Sequence, residues 1–139
     1  MINTSIRDIT ILNFDQYCCD GILTVLQGDD LSSIPFPIRR IFTISNVPAG
    51  GQRGNHAHLH CTQVVLCLKG SVTVEIDDGQ QEIVMVLENA SQGIMILPGL
   101  WNKLTFKDSD TVLAVICDQP YSPEDYLRDR TVFMTLKGL

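Results

Sequence analysis

Aromatic side chains are scarce in this sequence: five phenylalanines, three tyrosines and one tryptophan make up 6% of 139 residues. Long apolar runs are missing too. No stretch approaches the roughly 18 to 20 uninterrupted apolar residues that cross a bilayer, which argues against a membrane partner. The first ten residues, MINTSIRDIT, lack the basic-then-apolar order of an export signal. Basic residues never cluster beyond Arg39-Arg40, and 10 Lys and Arg against 16 Asp and Glu leave a net charge of −6. That balance excludes a nucleic-acid footprint, although a few placed arginines can still hold a small anion. The five cysteines (Cys18, Cys19, Cys61, Cys67 and Cys117) are odd in number and show no C-x-x-C spacing. They read as small hydrophobes in a reducing, cytoplasmic compartment rather than as disulfides or zinc ligands. There is no low-complexity segment and no internal repeat. The length fits one domain over residues 1–139, large enough to bury a core without staples.

What is present is a series of short strand-like segments. The run Ile41 to Ile44 follows the extended lead-in Pro35-Phe36-Pro37. Gln63 to Leu68 is continuously apolar, and Ser71 to Asp77 alternates, with Val72, Val74 and Ile76 on one face. Asp78-Gly79 predicts a type I′ hairpin into Glu82 to Leu87. Gly93 to Leu97, Lys103 to Phe106 and Thr111 to Cys117 complete the set. Turn signals every 8 to 12 residues or so, with no helix-length pattern between strands, indicate an antiparallel all-β sandwich or barrel. One helix is expected at Ser122 to Arg128, with Ser122 as cap, Pro123 in the first turn and Asp125 answering the cap.

All three histidines fall within five residues, His56-Ala57-His58-Leu59-His60. On a strand, residues two apart point the same way, so the three could share one face. A solvated polar strand face would look the same, but the flanks argue for more. Gly50 to Asn55 before the cluster and Gln63 to Gly70 after it resemble the first motif of the cupin superfamily, G-x5-H-x-H-x(3,4)-E-x6-G. His56, His58 and Gly70 stand at motif positions, and Gln63 stands at the acidic one. Pro98-Gly99-Leu100-Trp101-Asn102-Lys103 loosely follows the second motif. Metal-binding cupins use three histidines and a glutamate. Here Gln63 and Asn102 or Lys103 replace two of those donors, and amides and ammonium groups are poor or impossible ligands, so no metal is expected.

Within the cupins the chain resembles the dTDP-4-oxo-6-deoxyglucose 3,4-oxoisomerases, the WxcM-like sugar ketoisomerases. The resemblance rests on Ile38 to Ile41, Arg53-Gly54-Asn55-His56-Ala57-His58, Gln63 to Ser71, Asp77-Asp78-Gly79, Pro98 with Trp101, and Asp125 to Asp129. It implies an all-β jelly roll, a cupin-type double-stranded β-helix with a short C-terminal helix. It also implies a homodimer and an enzyme of deoxysugar and surface-polysaccharide synthesis. The implied reaction moves a keto group from C4 to C3 of a dTDP-linked 6-deoxyhexose through an enediol, without a cofactor. By family position His56 and His58 are the proton carriers, with His56 slightly favoured as the base. Arg53 and Arg40 are candidates for the diphosphate or the developing enolate oxygen. Trp101, Asn102, Gln63 and Asp20 stand where the family meets its sugar substrate; for Trp101 a core aromatic is an equal alternative.

Phe42 and Thr43 stand where the family commonly has tyrosines, so those phenols are missing. This keeps open a second reading, a cupin that binds a nucleotide sugar without isomerising it. Asn102 and Asp20 also leave the stereochemical outcome at C4 open.

Overall fold

A computed structural model describes residues 2–139. The chain forms strands β1 (Thr10–Asn13), β2 (Asp15–Cys18), β3 (Ile22–Val25), β4 (Arg40–Ile44), β5 (Gln52–His58) and β6 (Gln63–Lys69). It continues with β7 (Val72–Asp77), β8 (Glu82–Leu87), β9 (Gln92–Ile96), β10 (Trp101–Phe106), β11 (Val112–Cys117) and the two-residue β12 (Tyr126–Leu127). Helix α1 (Arg130–Leu136) closes the chain. Two five-stranded antiparallel sheets result, in the orders β1-β9-β6-β11-β4 and β12-β5-β10-β7-β8. β2 and β3 pair only with each other. This is the double-sheet jelly roll that the resemblance implies, within the antiparallel all-β class that the strand spacing predicts.

The alternating residues meet where the sheets face each other. Val65, Cys67, Ile94, Leu113 and Val115 from one sheet pack on Val72, Val74, Ile76, Leu104 and Phe106 from the other. Gln63 to Cys67 has no polar alternation because that part of β6 is covered on both faces, while Leu68 beyond it is exposed. Val64 and Leu66 point outward into a second cluster with Phe14, Ile34, Phe36, Ala114 and Ile116. The chain's own segment before β4 therefore covers this outer face, and no second copy is needed there.

Two local expectations are corrected. Asp78-Gly79 does turn the β7–β8 hairpin, but not as a type I′ pair. The loop spans Asp78 to Gln81, and of the pair only Gly79 has positive φ, +97°. The Asp78 carboxylate takes the place of that second positive-φ residue by accepting from the backbone of Gln80, Gln81 and Ile6. The helix expected at Ser122 to Arg128 is only one 3₁₀ turn, Pro123–Asp125. Ser122 bonds the Glu124 carboxylate at 2.8 Å instead of capping the backbone. The α-helix starts one motif later, where Asp129 accepts from the backbone of Thr131 (2.8 Å) and Val132 (3.2 Å). α1 places Phe133, wholly buried, against Ala57 and Leu127 on the outer face of β5. Among the described residues, no helix is long and apolar enough to cross a membrane.

Candidate active site

A kink in β5 sets the site. Gly54 (φ +89°) and Asn55 (φ +57°) both take left-handed backbone, and the ladder skips Asn55 between the pairs Asn102↔His56 and Lys103↔Gly54. Glycine is required at 54, because a Cβ there would lie 2.8 Å from Asn102 Oδ1. Beyond the bulge His56 and His58 share a face, with ring centroids 4.9 Å apart and planes at 89°. Ala57 turns to the opposite face under α1. His60 lies past the end of β5, exposed, so the three histidines do not form one cluster.

β12 then adds two groups. Its Tyr126 sits directly opposite His58 across the ladder, and its ring lies 4.6 Å from His58 and 5.0 Å from His56. Asp125, one residue earlier, is buried and accepts from His58 Nδ1 at 2.8 Å and from the His60 backbone N–H at 2.6 Å. Burial alone would raise the Asp125 carboxyl. The hydrogen bonds from His58 and from the backbone of His60 and Cys61 outweigh it and hold the group below the usual carboxylate range. An ionised Asp125 assigns the His58 proton to Nδ1, which leaves Nε2 as a buried lone pair without a partner among the described residues. Burial is the main influence on both imidazoles. It lowers His58 despite Asp125, and with His58 and Arg128 nearby it pushes His56 down to about 4. Both are neutral bases at pH 7.

A cavity of about 130 Å³ opens between the sheets beside this cluster. His56, Tyr126, Gln63, Asn102 and Phe42 line it, over an apolar floor of Val65, Leu104 and Val115. His58 lies behind His56 and Tyr126, 3% exposed, and is not in the lining. Asn102 is buried and donates to the His56 carbonyl at 3.3 Å, pinning the strand crossing. Arg40, at the start of β4, donates to Cys117 Sγ at 3.5 Å, and its guanidinium lies 5.4 Å from the Phe42 ring and 5.6 Å from the Tyr121 ring. Gln63 Nε2 approaches the same sulfur at 3.8 Å. Burial would lower Arg40, but the Cys117 sulfur outweighs it and raises the group. Cys117 in turn is held below the usual thiol range by the Cys61 thiol, assisted by Arg40 and Gln63.

The structure therefore brings His56, Gln63 and Asn102 together at the cavity, with His58 and Arg40 adjacent. It separates the other three candidates. Arg53 is exposed on β5, opposite Leu104 in register, and outside the lining. Trp101 points to the outer face, 5.3 Å from Phe133 and capped by Arg130 at 5.2 Å. Asp20 is exposed at the tip of the β2–β3 hairpin, with φ +53°. That hairpin borders Leu68, at the far end of β6 from Gln63. Among the described residues, the donor set that could gather on a metal is His58, Cys61 and Asp125, whose ligand atoms lie within 4.8 Å of one another. Two of those residues are already joined to each other through the 2.8 Å bond between His58 Nδ1 and Asp125.

This arrangement can move protons: two neutral imidazoles, one backed by a carboxylate, beside a small cavity with a phenol in its wall. The family model described as WxcM-like, C-terminal (FdtA) matches residues 4–138. The chain belongs to this family. It is 33% identical over 118 residues to the TDP-4-oxo-6-deoxy-alpha-D-glucose-3,4-oxoisomerase of Aneurinibacillus thermoaerophilus, covering 85% of this chain and 84% of that one. Among solved structures, WlaRA, a TDP-fucose-3,4-ketoisomerase from Campylobacter jejuni, is 31% identical with a TM-score of 0.86, over 94% of this chain and 96% of that one. QdtA, a sugar 3,4-ketoisomerase from Thermoanaerobacterium thermosaccharolyticum solved in complex with TDP, is 27% identical with a TM-score of 0.91, over 96% and 97%.

The WxcM-like match spans every residue of the site. Reasoning from the sequence missed Asp125 and Tyr126 as functional residues. Both lie in the segment Asp125 to Asp129 that carries part of the family resemblance, where local sequence reads Asp125 as the partner of a helix cap. The signal was available, but its pairing with a strand 67 residues earlier was not.

Proposed function

We propose that this chain is a sugar-nucleotide 3,4-ketoisomerase acting on a dTDP-linked 4-oxo-6-deoxyhexose. The observation that carries this reading is the neutral His56 in the cavity wall, packed edge-on against a His58 that Asp125 holds in one tautomer. Migration of the keto group needs a base for the C3 proton and a route for a proton to C4, and imidazole suits both. His56 faces the cavity and takes the base role. His58 stands directly behind it as the second proton carrier, with Asp125 fixing its Nδ1–H and directing the Nε2 lone pair. Gln63 and Asn102 offer amides to the sugar hydroxyls. Arg53, exposed and without a protein ion pair among the described residues, serves the diphosphate.

The protein works as a homodimer of single-domain subunits in the cytoplasm. Support for self-association comes from the exposed Ile11 (51%) and Ile41 (61%), which sit on the two open edges of one sheet, and from Tyr17, Ile22 and Leu23 on the hairpin.

The deciding experiment incubates the protein with dTDP-4-oxo-6-deoxyglucose in deuterated buffer. C3 should exchange its proton and the 3-oxo isomer should accumulate. Phe42 in the cavity wall, where a phenol is usual, favours one rival: binding without isomerisation. Tight binding with no exchange between about pH 6 and 9 would establish that rival instead.

A further inference from the structure

We infer that Cys117 is a positioning residue, a buried thiolate that pairs with Arg40 and turns the Gln63 amide oxygen toward the sugar. This deepens the ketoisomerase reading above and rests on it. Cys117, the last residue of β11, stands opposite Arg40 on β4 and opposite Gln63 on β6. Residues paired across a ladder share a face, with Cβ atoms about 4.5–5.5 Å apart. The three side chains form one row with the sulfur in the middle. Arg40 Nη2 donates to that sulfur at 3.5 Å from one side, and Gln63 Nε2 approaches it at 3.8 Å from the other. Among the described residues, neither side chain makes another hydrogen bond to the protein.

The charge of Arg40 needs a partner. The side chain is half-buried, and its Nε is buried without a hydrogen-bond partner among the described residues. The ion pairs among those residues are His58–Asp125, Lys103–Glu75 and Arg130–Asp77, so no carboxylate answers Arg40. The sulfur 3.5 Å away can balance it, and only as a thiolate. Cys117 is itself wholly buried, where a lone anion would be costly. Each charge makes the other tenable. The Cys61 thiol, with help from Arg40 and Gln63, holds Cys117 below the usual thiol range, and the same pairing pushes Cys61 up. Cys61 thus stays protonated while Cys117 carries the charge. Arg40 on β4 and Cys61 between β5 and β6 are the titratable groups against Cys117. Asp118 acts on Cys61, and Tyr126 acts on Arg40.

Ionisation of Cys117 decides which way the Gln63 amide faces. A thiol could donate to the amide oxygen, whereas a thiolate can only accept, so the NH₂ turns to the sulfur and Oε1 turns away. Gln63 is buried and lines the cavity. Its Oε1 takes no protein hydrogen bond among the described residues, yet is not among the buried polar atoms left without partners. Oε1 is therefore the acceptor that this row presents to the cavity. It fits a sugar hydroxyl, which can donate, and not the keto oxygen, which cannot. Cys117 lies outside the lining and acts through Gln63.

Two measurements test this. The first needs no substrate and compares the thiolate ultraviolet absorbance of the parent with that of Cys117→Ala at about pH 7, where an ordinary thiol is protonated. One thiolate should vanish with the substitution, and identical spectra overturn the inference. The second is a double-mutant cycle on dTDP-4-oxo-6-deoxyglucose. Cys117→Ala should lower kcat/KM on the order of 10-fold in the parent, but less than about twofold in a Gln63→Ala background. A packing defect would cost the same in both backgrounds, so equal losses overturn the inference, as does no loss in the parent. If Cys117→Ala melts early, Cys117→Ser, which nearly keeps the volume and does not ionise, takes its place in both measurements. A parent inactive on the substrate defeats the ketoisomerase reading, while the absorbance still reports on the thiolate. An active parent with equal losses in the two backgrounds defeats only the role of Cys117.

Discussion

At the scale of single residues, Asp125 holds the site's chemistry together. Its two oxygens take a ring N–H from His58 and a backbone N–H from His60, so one side chain fixes both an imidazole and the exit of β5. In Asp125→Asn one oxygen can still accept, but the amide NH₂ must face a donor. The His58 tautomer is then no longer enforced, and a buried donor loses its partner. We expect kcat to fall roughly 10- to 10³-fold and unfolding stability to drop by about 1–3 kcal/mol, read from steady-state rates and urea midpoints. Unchanged rates with lowered stability would make Asp125 a purely structural anchor. His56→Asn and His58→Asn should each cost on the order of 10²–10⁴ in turnover. Two fully active variants would return both histidines to the scaffold. The sequence made the histidines legible because their i, i+2 spacing is local. Asp125 was not legible, since its role depends on a contact across 67 positions.

At the scale of elements, the strands of the middle of the chain were readable and the chain ends were not. β6 to β11 lie within two residues of the segments read from apolar runs, because burial of one or both faces sets their composition. β1, β2 and β3 are four residues each and mostly exposed, so no alternation marks them. α1 reads RTVFMTL, with a β-branched or aromatic residue in four of seven positions. It owes its existence to the Asp129 cap and the burial of Phe133 rather than to propensity. The bulge in β5 is the element that aims the histidines, and it depends on Gly54. Gly54→Ala meets both a positive φ and a Cβ within 2.9 Å of the Asn102 backbone oxygen, whereas Gly50→Ala (φ +77°) meets only the first. We expect losses of about 2–4 kcal/mol and about 1 kcal/mol respectively in urea denaturation. Equal losses would mean that the close approach to Asn102 is not what demands glycine.

At the scale of the whole molecule, net charge and the buried site respond to acid in opposite ways. With 16 acidic against 10 basic residues, the chain nears neutrality around its isoelectric point of about 4.8, where global self-repulsion is smallest. Charge alone would therefore leave the fold no weaker, or stronger, as pH falls from 7 toward 5. The site works the other way. His56 is depressed to about 4 from an unfolded value of 6.5, so between those limits the unfolded chain binds the proton that the folded chain refuses. Stability from His56 is complete above about pH 6.5 and is lost progressively down to about pH 4. The full loss is about 3–3.5 kcal/mol at most, from 1.36 kcal/mol per pH unit over the interval from 6.5 to about 4. His58, also depressed by burial, adds in the same direction. Asp125 enters later, because a carboxylate held below its ordinary value gives up its contribution only as pH falls through that lowered value. Urea midpoints measured from pH 7.5 to 4.5 should therefore decline, and the decline should be shallower in His56→Asn. Parallel profiles for the two proteins would show that His56 is not held neutral by its surroundings. If His56 is the base, the same neutral imidazole should keep the acid limb of kcat/KM well below pH 6.5, so that on acidification the fold weakens before His56 is protonated.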